Sequence, residues 1–127
     1  MRVRIGPYRK NRAERIEIEP FDTWSMDSTL SMIIHPMLVQ LKETTHGYPN
    51  ELTEERWNEI LDEMIWAFDQ KNKDEWEDQF YGPYIENPDK PLGGHFEWID
   101  RKGINAHHDR MTAGFRLFGE YFENLWD

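Results

Sequence analysis

Residues Trp57–Phe68 read WNEILDEMIWAF, and their apolar side chains recur at intervals of three and four residues. This spacing is the period of one face of an α-helix, and the other positions of the run are mostly acidic. Thr53 stands just before the run, where a hydroxyl oxygen can accept a hydrogen bond from a free first-turn amide. We therefore predict a helix over residues 53–72 with one buried and one acidic face.

A second helix is predicted over residues 26–45, because apolar side chains follow the same period from Met26 to Leu41. Either Ser25 or Asp27 can supply the side-chain oxygen that caps its first turn. Pro36 lies inside the run and has no amide hydrogen, so we expect either a kink there or a helix that begins late.

A third helix is predicted over residues 104–125. Gly114 and Gly119 lie inside it and indicate a close approach of a neighbouring element, since glycine otherwise weakens a helix. Its expected apolar seam follows a repeating spacing of four and three: Ile104, His108, Met111, Phe115, Phe118, Phe122 and Leu125.

The N-terminal segment has a different period. Residues 2–5 and 15–19 alternate apolar and charged side chains, which is typical of strands and predicts a two-stranded β-ribbon within residues 1–20. Antiparallel pairing would set arginines of the first strand beside glutamates of the second.

The remaining segments connect these elements. Residues 74–81 either extend the second helix or form a separate turn, and prolines and glycines make residues 82–95 a predicted long surface loop. Residues 96–99 are expected to form a short strand. The predicted fold is therefore α+β and mainly α, in one domain over residues 1–127: an N-terminal ribbon, a three-helix core and a long Pro/Gly loop before the last helix.

Charge is unevenly distributed along the chain. The net charge is −10, yet residues 1–15 carry six basic side chains and one acidic one, so that segment is +5 and the rest is −15. A field of this overall sign disfavours direct binding to nucleic acid or to an anionic membrane. The absence of cysteine and of a long apolar run favours a protein of the cytoplasm.

No sequence motif for catalysis stands out. The chain has no cysteine nucleophile, no glycine-rich phosphate loop and no His-Glu-x-x-His pattern, so we expect no enzymatic activity, no catalytic residue and no cofactor. The pair His107-His108 lacks the spacing that places two metal ligands on one helix face, and no metal site is expected. The spacings Glu51-x-x-Glu54 and Glu59-x-x-Asp62 resemble the two halves of the magnesium site of all-α nucleotide pyrophosphatases, which leaves a metal-dependent nucleotide pyrophosphohydrolase as an alternative.

The basic segment is the main candidate for a binding site. Guanidinium groups bind phosphates and aromatic rings stack on bases, so its residue types suit an anionic nucleotide. The same types also suit the solvated tip of a charged hairpin. The candidate ligand-binding residues are Tyr8, Arg9, Lys10, Arg12, Trp24, Asp27, His108 and Arg110.

Aromatic residues outside the predicted helical stripes are numerous. Three helices cannot cover all of them, so we expect some to line a pocket or a protein interface, and a homo-oligomer is expected. They are Trp24, Trp66, Trp76, Phe80, Tyr81, Tyr84, Trp98 and Trp126.

Three stretches resemble a family of small proteins encoded by tailed bacteriophages. They are DTWSMDSTL at 22–30 with PML at 36–38, LDEMIWAF at 61–68, and GFRLFGEYF at 114–122 continuing to LWD at 125–127. The resemblance implies an accessory protein of the infected host cytoplasm that acts by binding, for example in counter-defence. It carries over no catalytic residue.

Two functions follow as hypotheses. The first is a protein that sequesters a small nucleotide immune signal through the candidate residues above. The second is an acidic DNA mimic or inhibitor that binds a basic host or defence protein through the −15 body.

Overall fold

The computed structural model describes residues 1–44 and 47–126. These residues form two strands, three helices, two further strands and a fourth helix, with short 3-10 turns at Asp78–Phe80 and Phe122–Asn124. In chain order the elements are β1 Arg2–Ile5, β2 Glu14–Glu17, α1 Pro20–Trp24, α2 Met26–Thr44, α3 Glu54–Asn72, β3 Tyr84–Glu86, β4 Gly94–Phe96 and α4 Arg101–Glu120. The predicted α+β, mainly α fold class is confirmed.

The helix α3 is the centre of the molecule. The hydroxyl of Thr53 accepts a hydrogen bond from the amide of Arg56 at 3.1 Å, which confirms the predicted cap. Most of the buried apolar side chains come from this one helix: Trp57, Ile60, Leu61, Met64, Ala67 and Phe68. This apolar face of α3 is buried because a helix packs on either side of it.

Helices α2 and α4 pack on opposite sides of α3 and, among the described residues, not against each other. On one side Lys71 pairs with Asp27 near the start of α2, and Lys42 pairs with Asp62 near its end, so α2 and α3 are antiparallel. On the other side Trp57 meets Tyr121 while Gln70 meets His107, so α3 and α4 are antiparallel as well. The three helices therefore form a single layer.

Gly114 lies at a close approach of α4 to α3. A Cβ atom placed on Gly114 would lie 2.4 Å from the Cβ of Ala67 and 2.7 Å from the carbonyl oxygen of Glu63. The predicted close approach is confirmed there but is wrong at Gly119, where a Cβ would meet nothing within 4 Å. The ring of Phe68 then fits between Phe115 and Phe118, with centroids 5.1 and 5.2 Å away.

The limits of α4 differ from the predicted 104–125. The helix begins at Arg101 because the carboxylate of Asp100 accepts a hydrogen bond from the amide of Gly103 at 2.9 Å. It ends at Glu120, and a 3-10 turn follows. Gly103 therefore lies in the first turn of the helix.

The predicted loop over residues 82–95 is partly wrong, because it contains most of a hairpin. Strand β3 pairs antiparallel with β4, and a bridge from Tyr81 to Ile99 closes its base. The strand predicted over residues 96–99 is shifted towards the N-terminus, to Gly94–Phe96. Residues 74–81 do not extend α3, which ends at Asn72.

Helix α2 continues through Pro36 and begins at Met26, so neither a late start nor an interruption occurs in its described part. The short helix α1 precedes it and ends at Trp24, which leaves Ser25 as the junction. Residue 45, the predicted last residue of this helix, lies outside the described residues. No helix in the described part of the chain has the length and apolar character needed to cross a membrane.

Candidate functional site

The N-terminal ribbon is a two-stranded hairpin, which we call the arm and which comprises β1, β2 and the turn between them. The predicted ribbon is confirmed, with β2 beginning and ending slightly earlier than expected. Its strands pair antiparallel, and the arm lies against no other described strand or helix. Val3 faces Ile16, so the two faces of the arm differ in character.

The second face of the arm is basic. Arg2 lies opposite Glu17, as the predicted pairing of arginine with glutamate requires, but Arg4 lies opposite Arg15. The guanidinium of Arg15 binds the carboxylate of Glu17 at 2.6 Å, so this single acid is already paired. Within residues 1–44 and 47–126, Arg2 and Arg4 form no ion pair.

A shallow depression of about 200 Å³ lies on this face, lined by Arg2, Val3, Arg4, Arg15 and Glu17. Like charges placed directly opposite each other destabilise a strand pair. An anion in the depression would relieve the repulsion between Arg4 and Arg15, because oxygens can accept from both guanidinium groups.

The tip of the arm carries four of the predicted site residues: Tyr8, Arg9, Lys10 and Arg12. The ring of Tyr8 is 93% exposed and free to stack on a ligand. The Nε of Arg12 donates a hydrogen bond to the carbonyl of Gly6 at 2.8 Å, so part of this side chain holds the turn.

Trp24 lies at the other end of the arm. It ends α1, is 80% exposed and contacts Phe21 at a centroid distance of 5.6 Å. The register places Arg2 and Glu17 at the α1 end and Ile5 and Glu14 at the tip. Four residues of strand span about 13 Å, so Trp24 does not converge with Tyr8.

Asp27 is exposed on α2 and pairs with a residue of α3. Its carboxylate lies 2.6 Å from the ammonium of Lys71 on α3. The hydrogen bond from Lys71 holds the pKa of Asp27 below its ordinary value. This residue therefore ties α2 to α3, and its charge is already balanced.

Arg110 also joins two helices. Its guanidinium lies over the ring of Trp66, 3.8 Å from the centroid, and binds the carboxylate of Glu63 through two nitrogens at 3.1 and 3.3 Å. Because α4 lies across α3 from α2, Arg110 and the neighbouring His108 stand on the far side of α3 from Trp24 and Asp27.

The prediction that His108 lies on the apolar seam is wrong by one residue. His108 is exposed, and His107 packs instead. The imidazole of His107 stacks on Trp76 at 4.8 Å, contacts Trp66 and Phe80, and shares a hydrogen bond of 3.1 Å with Gln70. Burial, followed by the charge of Arg110, lowers the pKa of His107.

This aromatic cluster of Trp66, Trp76, Phe80 and His107 is not anticipated from the sequence, although one signal for it exists. If Gly114 sets the contact with α3, the four-three spacing passes through His107, Met111 and Phe118, and His108 falls outside it. The cluster fastens the segment after α3 onto α4. Much of the expected aromatic surplus is thus used within the chain.

A larger open cleft borders the aromatic cluster. It measures about 490 Å³ and is lined by Gln70, Lys73, Asp74, Glu75, Trp76 and Gln79. Two carboxylates against one ammonium make it a poor site for a phosphate and a better one for a basic group.

Two residues of the alternative metal site are engaged elsewhere. Glu59 pairs with Arg56 at 3.1 Å, and Asp62 pairs with Lys42. Across residues 1–44 and 47–126, no three acidic or histidine side chains are grouped so as to hold a metal ion.

Comparison of the chain with protein-family models, curated proteins and solved structures finds no match among any of the three.

Proposed function

We propose that this chain is a non-enzymatic binding protein that captures a small anionic ligand of the nucleotide class on the basic face of the arm. One observation carries the proposal: Arg4 and Arg15 face each other on an exposed hairpin, with Arg2 unpaired beside them. Glu17 already balances Arg15, so Arg2 and Arg4 are the charges left without a counter-ion, and an anion bound beside them would be favourable.

The size of the depression fits the phosphate part of a ligand. At about 200 Å³ it is smaller than the usual pocket for a whole drug-sized molecule, so the base would extend along the arm. The exposed ring of Tyr8 provides a stacking surface at one end of the arm, and Trp24 provides one at the other.

The resemblance to small bacteriophage proteins supports a role in counter-defence. In the cytoplasm of an infected host, a protein present in excess lowers the free concentration of a nucleotide immune signal by binding it. No covalent chemistry is required for this counter-defence activity.

Titration calorimetry of the purified chain against cyclic dinucleotides, cyclic trinucleotides and cyclic ADP-ribose isomers tests the proposal. We expect saturable heat with at least one of these ligands and weaker binding at high salt, because the site is exposed and ionic. The absence of heat with every ligand would refute it.

The substitution Arg4→Glu gives the sharper test. It places a carboxylate opposite Arg15, which should strengthen the strand pair while removing the anion site. Loss of binding therefore cannot be attributed to an unfolded arm. Lys102→Glu on the exposed surface of α4 makes the same charge change and should leave binding intact.

A second candidate function is supported by the acidic cleft. Asp74 and Glu75 line it beside Trp76, which suits a lysine or arginine side chain of a basic host or defence protein. This alternative predicts that Asp74→Asn with Glu75→Gln weakens capture of that partner, and that Arg4→Glu does not.

A further inference from the structure

The apolar face of α2 is wider than α3 can cover. One row of side chains, Ile34, Leu38 and Leu41, packs against the core around α3. A second row lies beside it and is exposed, with a four-three-four spacing along the helix: Met26, Leu30, Ile33 and Met37. We call this second row the open stripe. A spacing of this kind is what packs one helix against another.

The accessible surface of a single chain is larger than that of a compact monomer of the same mass. Its accessible area is 10208 Å². A compact monomer of this mass, 15.4 kDa, exposes about 7200 Å², so the chain shows a surplus of about 3000 Å². Stable homodimers bury about 1000 to 2500 Å² per subunit, which the surplus can supply.

The arm contributes to the same surplus. Its apolar face presents Val3, Ile5 and Ile16 to solvent, and Ile18 follows directly. An isolated two-stranded hairpin is marginally stable in water, and this one packs on no other element in the described part of the chain. The Met1 ammonium pairs with Asp22 of α1 at 2.8 Å beside the start of the arm, but no described strand or helix covers the apolar face of the arm.

Charge selects the partner for these surfaces. The arm and its turn carry +5 within residues 1–15, and the rest of the chain carries −15. A uniformly basic partner would repel the arm, and a uniformly acidic one would repel the body. A second copy of this chain offers both signs and an apolar stripe of matching length.

We propose that two copies form a twofold dimer in which the open stripe of one packs against the open stripe of the other. Each arm lies over the partner subunit with its apolar face inward, and the basic turn that carries Arg9, Lys10 and Arg12 meets the acidic body of the partner subunit. The face that carries Arg2, Arg4 and Arg15 stays outward and accessible.

Light scattering on a sizing column, repeated over a wide range of protein concentration, tests the assembly. We expect a mass twice that of the 15.4 kDa chain. A monomer at every concentration would overturn the proposal.

Two exposed methionines of α2 provide a matched pair of variants. Met37 lies on the open stripe and is 65% exposed, and Met32 is 63% exposed but projects from another side of the helix. Met37→Glu should yield a monomer, and Met32→Glu should remain a dimer. If both variants stay dimeric, or both dissociate, the open stripe is not the interface.

A variant of the arm separates this inference from the proposed function. Ile16→Thr keeps a β-branched side chain but removes apolar surface, and it should raise the dissociation constant of the dimer. Arg4→Glu should abolish ligand binding and leave the dimer mass unchanged. An unchanged dissociation constant in Ile16→Thr would show that the arm takes no part in the interface.

Discussion

The two helices that flank α3 differ in how completely α3 covers their apolar side chains. Towards α4, Gly114 lets the helices approach, and Phe68 is enclosed between two rings of α4. On the other side, α3 covers one row of apolar side chains of α2, and the next row of α2, the open stripe, is exposed. An apolar stripe in a sequence thus indicates a helix, but it does not show whether the stripe is covered by the same chain.

This difference indicates that one side of α3 stabilises the single chain and that the other takes part in association. The α4 side contains the close approach at Gly114 and a cluster of rings around His107, so it should contribute strongly to the stability of a single chain. The α2 side and the arm retain apolar surface, which suits them for association.

Met64 and Met37 test this difference with the same substitution. Met64 is fully buried in α3, so Met64→Ala should lower the free energy of unfolding by about 2–5 kcal/mol. Met37→Ala on the open stripe should change it by less than about 0.5 kcal/mol when measured on the dissociated chain. Urea denaturation gives both free energies of unfolding. Equal losses in the two variants would contradict the difference in coverage between the two helices.

Gly114 and Gly119 give the next largest effect. A methyl group at Gly114 meets Ala67 and the backbone of α3, so Gly114→Ala should destabilise the chain by about 1–3 kcal/mol. Gly119 has open space, and Gly119→Ala should stabilise α4 by about 0.5–1 kcal/mol. Thermal unfolding followed by circular dichroism should show shifts of opposite sign, and shifts of one sign would contradict the close packing at Gly114.

Arg110 tests a polar contact on the α4 side. Arg110→Lys loses the forked contact with Glu63 and the planar contact with Trp66. The expected cost is about 1 kcal/mol or less, since the pair is half exposed, and it should shrink at high salt. Arg116→Lys, on the exposed part of the same helix, is the control and should be neutral.

His107 provides the smallest effect, seen in pH dependence. Its pKa is lowered in the fold from the ordinary value of 6.5, so the folded chain binds a proton less readily than the unfolded chain. The contribution of His107 to stability is fully present above pH 6.5 and is lost as pH falls through the lowered value. His107→Gln should flatten this part of the unfolding profile, and His108→Gln should not. Identical profiles for the wild type and His107→Gln would refute the assignment.

The helices could be predicted from the sequence because their signals are local. The stripe of α3, its Thr53 cap and the alternation of the arm need only neighbouring residues. The limits of α4 depend on the single capping contact between Asp100 and Gly103. The hairpin β3–β4 could not be found because its glycines and prolines resemble those of an irregular loop.

The candidate site could be predicted from the sequence less completely than the helices. The six basic side chains of residues 1–15 are visible in the sequence, but the strand register decides that Arg4 faces Arg15. Whether Trp24, Asp27 and Arg110 share a site depends on which helices are neighbours. The central position of α3 separates Arg110 from Trp24 and Asp27, and no local pattern encodes that position.

The antiparallel order of the helices also has a consequence for how the chain folds. Residues 45–53 connect α2 to α3, whereas residues 73–100 connect α3 to α4. Closing the longer connection costs about 1 kcal/mol more in chain entropy, so α2 and α3 should pair early and α4 should dock afterwards. Folding-rate changes from substitutions in α3 should exceed those from α4, because α3 belongs to both pairing events.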